Sequence, residues 1–252
     1  MRREALARGD SMADRKGFAP RLVPLGDRAI LLELAADLDL AANAVARRVA
    51  AEIRRHGTQW IADVVPGLVT VTVHFEAVSV AEAAERRAGL ERLLLEAARN
   101  ARRETGDSPA RSVEIPVCYD TALAPDLEEV ARRTGLPEAE VARAHAGTPH
   151  RVLMIGFAPG HPYLGGLDPR LAVPRRAAPR LRVEAGSVAI ANEQTSIYPF
   201  ATPGGWNIIG RTPLVLFDPI REPATLLEAG DAVTFVPVSR DVFERMAARA
   251  PR

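Results

Sequence analysis

The stretch RVLMIGFAPGHPYLGGLDPRLAVPRRAAPRLRVEAGSVAIANEQTSIYPFATPGGWNIIGRTPLVLFDP, residues 151–219, decides the fold of the C-terminal half. It is dense in glycine and proline, and short runs typical of β-strands lie between them, at 152–157, 181–183, 187–191, 206–209 and 214–217. No run keeps an apolar period of 3.6 residues long enough for a helix. Short strands at regular spacing with turn residues between them predict a β-sandwich or a closed barrel.

The loops of this stretch hold many side chains able to bind a ligand, more than simple connections need. They are His161, Tyr163, Arg175, Arg176, Asn192, Glu193, Gln194, Tyr198, Trp206 and Arg211. The sequence therefore places its candidate site on the turns of the β-rich half.

Working outward, strands are predicted at 113–117 and 232–238, two short helices at 126–134 and 137–145, and a terminal helix at 240–248. These elements complete a mainly-β domain over residues 106–252. The polar stretch ARRETGDSPAR at 101–111 contains glycine and proline, and it predicts a domain boundary.

Residues 20–105 predict a small α+β domain of two strands, a helix, a hairpin and a second helix. Asp39 can cap the first helix, Gly57 can end it, and Ser79 with Glu82 predicts a capping box for the second. This order is most of a split β-α-β, ferredoxin-like layout. Residues 1–19 are predicted to be a flexible N-terminal tail.

Composition excludes several classes of function. The net charge of +1 does not indicate the basic surface that nucleic-acid binding requires. Lys16 is the only lysine, so the folded region has no lysine for a Walker-type phosphate loop. Cys118 is the only cysteine and the five histidines lack ligand spacing, so no metal site is expected. The absence of a signal-peptide core or a membrane-length apolar run predicts a cytoplasmic protein without membrane contact.

The glycine- and proline-rich loop at 156–166 contains His161, whose imidazole is suited to proton transfer near neutral pH. We predict a catalytic role for His161 beside the substrate-binding Tyr163. The alternative is a surface or structural histidine.

Glu193, Gln194 and Tyr198 bring a carboxylate, an amide and a phenol into one hairpin-sized loop. These groups can hold a small amide or lactam through complementary hydrogen bonds, with Glu193 in a catalytic role. The alternative is that Gln194 only ties the loop to the barrel backbone.

Three arginines are candidates for binding an anionic group, because a guanidinium binds carboxylate or phosphate with two donors. Arg175 and Arg176 are predicted to bind substrate, and Arg211, between apolar strands, to act in catalysis. Their alternatives are a solvated charged face for the first two and pairing with a buried carboxylate such as Asp218 for Arg211.

Motifs of self-sufficient active sites are absent: the chain has no G-x-S-x-G elbow and no H-E-x-x-H pair. This favours a chain that shares its site with a partner.

GFAPGHPYLGGLDPRLAVPRR followed by VEAGSVAIANEQTSIYPFATPGGWNIIGRTPLVLFDP resembles the KipI / PxpB family, also known as allophanate hydrolase subunit 1. The upstream IPVCYD and APDLEEVARRTGL extend the resemblance over most of the chain from about Phe18 onward. The resemblance implies a cyclophilin-like β-barrel for the second domain.

The resemblance also implies the B subunit of an ATP-dependent 5-oxoprolinase, which converts 5-oxoproline to glutamate together with a homologous C-type subunit and an A-type subunit. ATP would then act on the complex, at a site that this chain does not identify. Two alternatives follow from the same family: an inhibitor that binds a sensor histidine kinase, and a subunit of an allophanate or urea pathway hydrolase.

Overall fold

The computed structural model describes residues 19–103 and 111–249. The chain divides into two compact units between residues 105 and 106. The predicted N-terminal tail lies outside the described residues, except for its last position.

The N-terminal unit is a four-stranded antiparallel sheet with two helices. Its elements are β1 (Arg21–Pro24), β2 (Ala29–Glu33), α1 (Leu40–His56), β3 (Ile61–Pro66), β4 (Thr70–Phe75) and α2 (Val80–Arg103), and the strand order is β1-β2-β4-β3. Alternating apolar residues of the two central strands meet in register, because Ile30 and Leu32 of β2 face Val73 and Val71 of β4. All four side chains are fully buried, in one core with the inner faces of both helices.

The helix signals at both ends of α1 act as predicted, and the capping box at the start of α2 forms in part. The Asp39 carboxylate accepts the Ala42 N–H at 2.8 Å, and Gly57 ends α1 with φ of 65°. Ser79 Oγ accepts the Glu82 N–H at 3.2 Å, while the Glu82 carboxylate binds the N–H of Val78 rather than that of Ser79. In a ferredoxin-like fold the outer strand beside the first strand follows the second helix. Here that outer strand is β1, which precedes the first helix, so the ferredoxin-like layout stays a prediction.

The second unit is built on a seven-stranded sheet that closes almost completely into a barrel. Its strands are β5 (Ser112–Val117), β6 (His150–Ile155), β7 (Pro162–Gly165), β9 (Ser187–Ala191), β10 (Gln194–Ile197), β12 (Asn207–Arg211) and β13 (Ala232–Pro237). Their order is β12-β9-β10-β7-β6-β13-β5. The barrel closes where Cys118, just after β5, and Arg211 of β12 exchange two backbone hydrogen bonds of 2.9 Å.

The remaining elements lie around this barrel. They are the helices α3 (Leu127–Thr134), α4 (Glu138–Ala146) and α5 (Arg240–Ala247), a short 3₁₀ helix (Pro169–Leu171), and a two-stranded ribbon of β8 (Arg180–Val183) and β11 (Thr202–Gly204). Val183 of the ribbon packs with Ala189 and Ala191, which lie on the opposite face of β9 from the interior residue Val188. The prediction of a mainly-β second unit is confirmed, and the cyclophilin-like label stays a prediction.

One predicted strand is wrong. Residues 214–217 pair only through a single bridge between Phe217 and Thr225. Pro213, Pro219 and Pro223 remove backbone donors from this part of the chain, so a continuous ladder cannot form.

Candidate functional site

The alternation of side chains along β7 and β10 sorts the candidate residues onto two faces. Thr195 and Ile197 of β10 lie with Leu164 of β7 toward the barrel core. Ser196 is paired in register with Tyr163 and therefore faces the other way. The barrel thus presents Ser196 and Tyr163 side by side on its outer face.

The loop between β6 and β7 brings His161 onto this outer face. Two backbone hydrogen bonds of 3.0 Å hold the loop, from Gly156 N–H to His161 O and from His161 N–H to Ala158 O. Gly160 has φ of 70°, and a Cβ there would lie 2.8 Å from Cβ of Phe217, so only glycine fits. His161 is consequently held as a buried side chain, 3% exposed.

Ser196 determines which imidazole nitrogen of His161 carries the proton. Ser196 Oγ donates its one proton to the Pro162 carbonyl at 2.9 Å and lies 2.7 Å from His161 Nε2. We therefore assign the proton to Nε2, where it donates to Ser196 Oγ, because the other tautomer would take this donor from the Pro162 carbonyl and bury an unpaired Nδ1–H; Nδ1 is then an unprotonated acceptor. Nδ1 is buried and has no hydrogen-bond partner among the described residues.

Burial keeps this imidazole neutral. Removal from water lowers the pKa of His161 from its ordinary 6.5 to about 4, because desolvation disfavours the charged ring. At neutral pH the side chain therefore offers a lone pair at Nδ1 and no positive charge.

Aromatic rings surround His161. Phe157, Tyr163 and Tyr198 lie with ring centroids 5.3, 5.2 and 5.2 Å from the imidazole, and Trp206 contacts Tyr163 edge-on at 5.8 Å. We call Phe157, His161, Tyr163, Tyr198 and Trp206 the aromatic cluster. Its rings meet edge-on or tilted and enclose one buried hydrogen-bond acceptor, His161 Nδ1.

Arg175 supplies the positive charge of the cluster. Its guanidinium carbon lies 5.7 Å from the centre of the Trp206 ring, a cation–π contact. Burial raises the pKa of both Tyr163 and Tyr198, and the charge of Arg175 acts in the opposite direction. Both phenols therefore stay protonated at neutral pH, next to a guanidinium.

Four of the predicted site residues thus come together: His161, Tyr163, Arg175 and Tyr198 all belong to or contact the aromatic cluster. Gln194 faces the same side as Ser196, because the two are spaced two residues apart in β10, and Tyr198 follows the strand at the same spacing. The side-chain nitrogen of Gln194 is buried without a hydrogen-bond partner in the described part of the chain.

Arg176 and Arg211 have structural partners instead. Arg176 binds the 2% exposed Asp126 at 2.5 Å, and Arg180 binds the same carboxylate at 2.8 Å. Arg211 Nε donates to the carbonyl of Ala185 at 2.8 Å, at the seam where the barrel closes. Glu193 is exposed at the turn between β9 and β10.

Sequence reasoning missed three residues of this region: Ser196, Phe157 and Asp126. Ser196 lies two residues from both Gln194 and Tyr198, but this spacing places it on their face only once residues 194–197 are known to form a strand. Asp126 was placed only as the start of a helix, although its carboxylate also accepts the Ile208 N–H at 2.8 Å. Nothing in the sequence signals that Asp126 meets two arginines about fifty residues away.

A second histidine network lies inside the barrel. His145 is fully buried, with Nδ1 2.7 Å from the Tyr119 hydroxyl and Nε2 3.2 Å from Thr195 Oγ1. His150 Nε2 lies 2.9 Å from the His145 carbonyl. Burial lowers the pKa of both histidines, so this network is neutral and braces the core.

An open cavity of about 570 Å³ lies at the barrel seam, lined by Cys118, Tyr119, the first two turns of α4 and the chain leading into α5. Within residues 19–103 and 111–249, no group of three His, Cys, Asp or Glu side chains is arranged to hold a metal ion. In the same ranges no helix is both long enough and apolar enough to cross a membrane.

Comparison with known proteins gives a family match over residues 20–227, to the model described as carboxyltransferase domain, subdomain C and D. A protein of Bacillus subtilis named as the B subunit of 5-oxoprolinase is 39% identical over 224 residues, covering 85% of this chain and 91% of that protein. Its namesake in Escherichia coli O157:H7 is 40% identical over 223 residues, covering 86% and 96%.

Solved structures agree with this match. The structure of the protein TTHA0988 has a TM-score of 0.71 at 36% identity, covering 84% of this chain but only 40% of that one. Kluyveromyces lactis urea carboxylase has a TM-score of 0.68 at 22% identity, covering 90% of this chain and 22% of that one. The second likeness shows the fold alone.

The family match and the two near-full-length relatives together show that this chain belongs to the carboxyltransferase-domain family of subdomains C and D, among the PxpB-type 5-oxoprolinase B subunits.

Proposed function

We propose that this chain is the B subunit of an ATP-dependent 5-oxoprolinase-type amidohydrolase, which hydrolyses 5-oxoproline to glutamate with ATP and water. The observation that carries the proposal is the 39% identity to the 5-oxoprolinase B subunit of Bacillus subtilis, with 91% of that protein covered. Identity at that level over nearly the whole chain supports a shared role.

The described side chains support a shared site rather than a complete one. His161 and Ser196 are within hydrogen-bond distance, as a base and a nucleophile would be, but Ser196 is 1% exposed and its proton is directed at a carbonyl. His161 Nδ1 has no orienting partner among the described residues. The pair therefore lacks the third group of a nucleophilic triad.

The chemistry assigned to the complex explains why it needs ATP and partners. A lactam is a stable amide. Transfer of a phosphoryl group from ATP to its carbonyl oxygen releases ADP and makes the carbonyl carbon susceptible to attack by water. Ring opening and loss of phosphate then give glutamate. The charge that develops on oxygen needs arginine and backbone donors. The only lysine, Lys16, lies outside the described residues, so we assign nucleotide binding to the A-type or C-type partner or to a shared surface.

We propose ligand contact for His161, Tyr163, Arg175, Gln194 and Tyr198, which share the outer face of the barrel. Glu193, exposed on the adjacent turn, is proposed to act where a partner subunit meets that face.

We propose a structural role for Arg176 and Arg211, because Arg176 binds a buried carboxylate and Arg211 binds a backbone carbonyl of the same chain. We propose that they position the barrel walls rather than contact substrate.

Two further features go with the proposal. We propose that the barrel is cyclophilin-like, which the family resemblance supports. We also propose a cytoplasmic location, because ATP is the co-substrate.

Reconstitution tests the function. The chain is co-purified with candidate A-type and C-type subunits from the same genome, and ATP hydrolysis is measured with 5-oxoproline, allophanate and urea. We expect 5-oxoproline-dependent ATP hydrolysis and glutamate formation by the complex, and none by the chain alone. Turnover of allophanate or urea without 5-oxoproline turnover would overturn the substrate assignment, and full activity of the solitary chain would overturn the shared site.

A role in an allophanate or urea pathway is the second candidate, favoured by the 28% identity over 150 residues to a protein of Emericella nidulans named putative urea carboxylase. The reconstitution assay, which compares 5-oxoproline, allophanate and urea as substrates, distinguishes this role from that of a 5-oxoprolinase subunit. The sensor-kinase inhibitor of the same family stays a prediction, which binding to a purified kinase would test.

A further inference from the structure

We propose that the aromatic cluster binds a small cyclic amide that carries a carboxylate, with His161 Nδ1 accepting the amide N–H, Arg175 binding the carboxylate and Phe157 moving aside as a cover. The proposal rests on the proposed function only for naming 5-oxoproline as the probe. The contacts that carry it are those of this chain.

The first argument is the unpaired acceptor. An unpaired buried acceptor is costly, so such groups are uncommon in folded proteins and need an explanation. His161 is 3% exposed, its Nε2–H is committed to Ser196 Oγ at 2.7 Å, and Nδ1 has no partner within the described ranges. A ligand that donates an N–H would satisfy Nδ1 without disturbing the bond to Ser196.

The second argument is the difference between neighbouring arginines. Arg176 and Arg180 are both bound to the buried Asp126. Arg175 is exposed and, within the described ranges, contacts the Trp206 ring without a carboxylate partner. A guanidinium held over an indole and not neutralised is suited to a carboxylate from outside.

The third argument is the surface between these two groups. The Tyr163 and Tyr198 rings each lie 5.2 Å from the imidazole of His161, and both phenols feel the charge of Arg175. A small ring that enters once Phe157 has moved can contact the partly exposed Tyr163 ring, whose phenol hydroxyl can donate to the carbonyl oxygen of the ring. In 5-oxoproline the carboxylate is attached to the carbon next to the N–H, so one molecule presents both groups on the same edge.

The fourth argument concerns access. His161 Nδ1 has almost no exposed surface, so a ligand reaches it only after a side chain moves. Phe157 is 69% exposed, has φ of 70°, and places its ring 5.3 Å from the imidazole. Moving this ring costs less free energy than moving the other rings of the cluster, because little of its apolar surface is buried.

The activity test crosses variants with substrate analogues in the reconstituted complex. Arg175→Gln should raise KM for 5-oxoproline about 10- to 100-fold, because a charged hydrogen bond is lost. It should leave KM for 2-pyrrolidinone, which lacks the carboxylate, unchanged. His161→Gln keeps a donor for Ser196 but removes the Nδ1 acceptor, so it should abolish the preference for 5-oxoproline over its N-methyl derivative.

The matched control is Arg132→Gln, which removes an exposed arginine whose described ion pair is with Glu129 on α3. Its KM for 5-oxoproline should equal that of the unmodified chain. If Arg175→Gln and His161→Gln behave like this control in an active complex, the inference is overturned while the proposed function stands.

A binding measurement separates the inference from activity. In the full chain labelled with ¹⁵N-histidine, and in the complex, 5-oxoproline should shift the Nδ1 resonance of His161, which His161→Gln assigns by deletion. N-methyl-5-oxoproline should not produce that shift, and Phe157→Ala should increase affinity for 5-oxoproline. A shift in a complex inactive on 5-oxoproline would keep the inference and overturn the function; no shift at saturating 5-oxoproline would overturn the inference.

Discussion

Replacing Asp126 with asparagine tests the buried ion-pair cluster that anchors the segment carrying Arg175. The 2% exposed carboxylate accepts hydrogen bonds from Arg176 at 2.5 Å, from Arg180 at 2.8 Å and from the Ile208 N–H at 2.8 Å. Asparagine has nearly the same shape, but it loses the charge and turns an NH₂ group toward one of these donors.

The size of the effect follows from burial. Removing one partner of a buried ion pair costs about 3–5 kcal/mol. Arg176 and Arg180 keep 33% and 26% of their side chains exposed, so water solvates part of the unpaired charge. We therefore expect Asp126→Asn to lower the free energy of unfolding by about 2–4 kcal/mol, or Tm by about 4–16 °C for a domain of this size.

Urea denaturation followed by circular dichroism and calorimetry measures this loss. The matched control is Glu129→Gln on α3, where the carboxylate also binds two arginines but at the surface, and its Tm should stay near that of the unmodified chain. A loss below about 0.5 kcal/mol for Asp126→Asn, the range of ordinary surface substitutions, would refute the reasoning.

Three further predictions concern other parts of the second unit. Tyr119→Phe removes the hydroxyl that lies 2.7 Å from His145 Nδ1, so it should cost about 1–3 kcal/mol in urea denaturation; an unchanged midpoint would mean that the network is not stabilising. Because the folded-state pKa of His161 is depressed from 6.5 to about 4, its contribution to stability is complete above pH 6.5 and is lost as pH falls toward 4. His161→Gln should flatten that slope in pH-dependent unfolding, and an equally steep slope would contradict the assignment. In Gly204→Ala the added Cβ would overlap the Tyr198 hydroxyl, so we expect a loss of about 1–3 kcal/mol by calorimetry; an unchanged Tm would show that Tyr198 is free to move.

Elements with strong local signals could be predicted from the sequence. The Asp39 cap and the Gly57 stop bound α1, and the alternation in β4 predicts its buried face, because caps and alternation depend only on neighbours in the chain. The strand β10 has no such signal, since Gln194, Thr195 and Ser196 read as loop residues. Their burial comes from pairing with β9 and β7, which propensity does not report.

Candidate ligand-binding residues could be named from their chemistry, but their grouping could not. Arg175 and Arg176 are adjacent and chemically identical, yet one stacks on Trp206 and the other binds Asp126. Which of the two arginines is available to a ligand depends on where the fold places the carboxylate of Asp126, which lies about fifty residues earlier in the chain.

The sequence by itself determined the strand-rich second half, the helical caps, the family and the list of polar groups on the turns. Only the tertiary structure decided that His161 donates to Ser196 and keeps an Nδ1 without a partner in the described part of the chain, and that Arg211 belongs to the barrel seam. The physical reason is that local propensity acts between near neighbours, whereas hydrogen-bond direction and charge pairing are set by strands that meet only when the barrel closes.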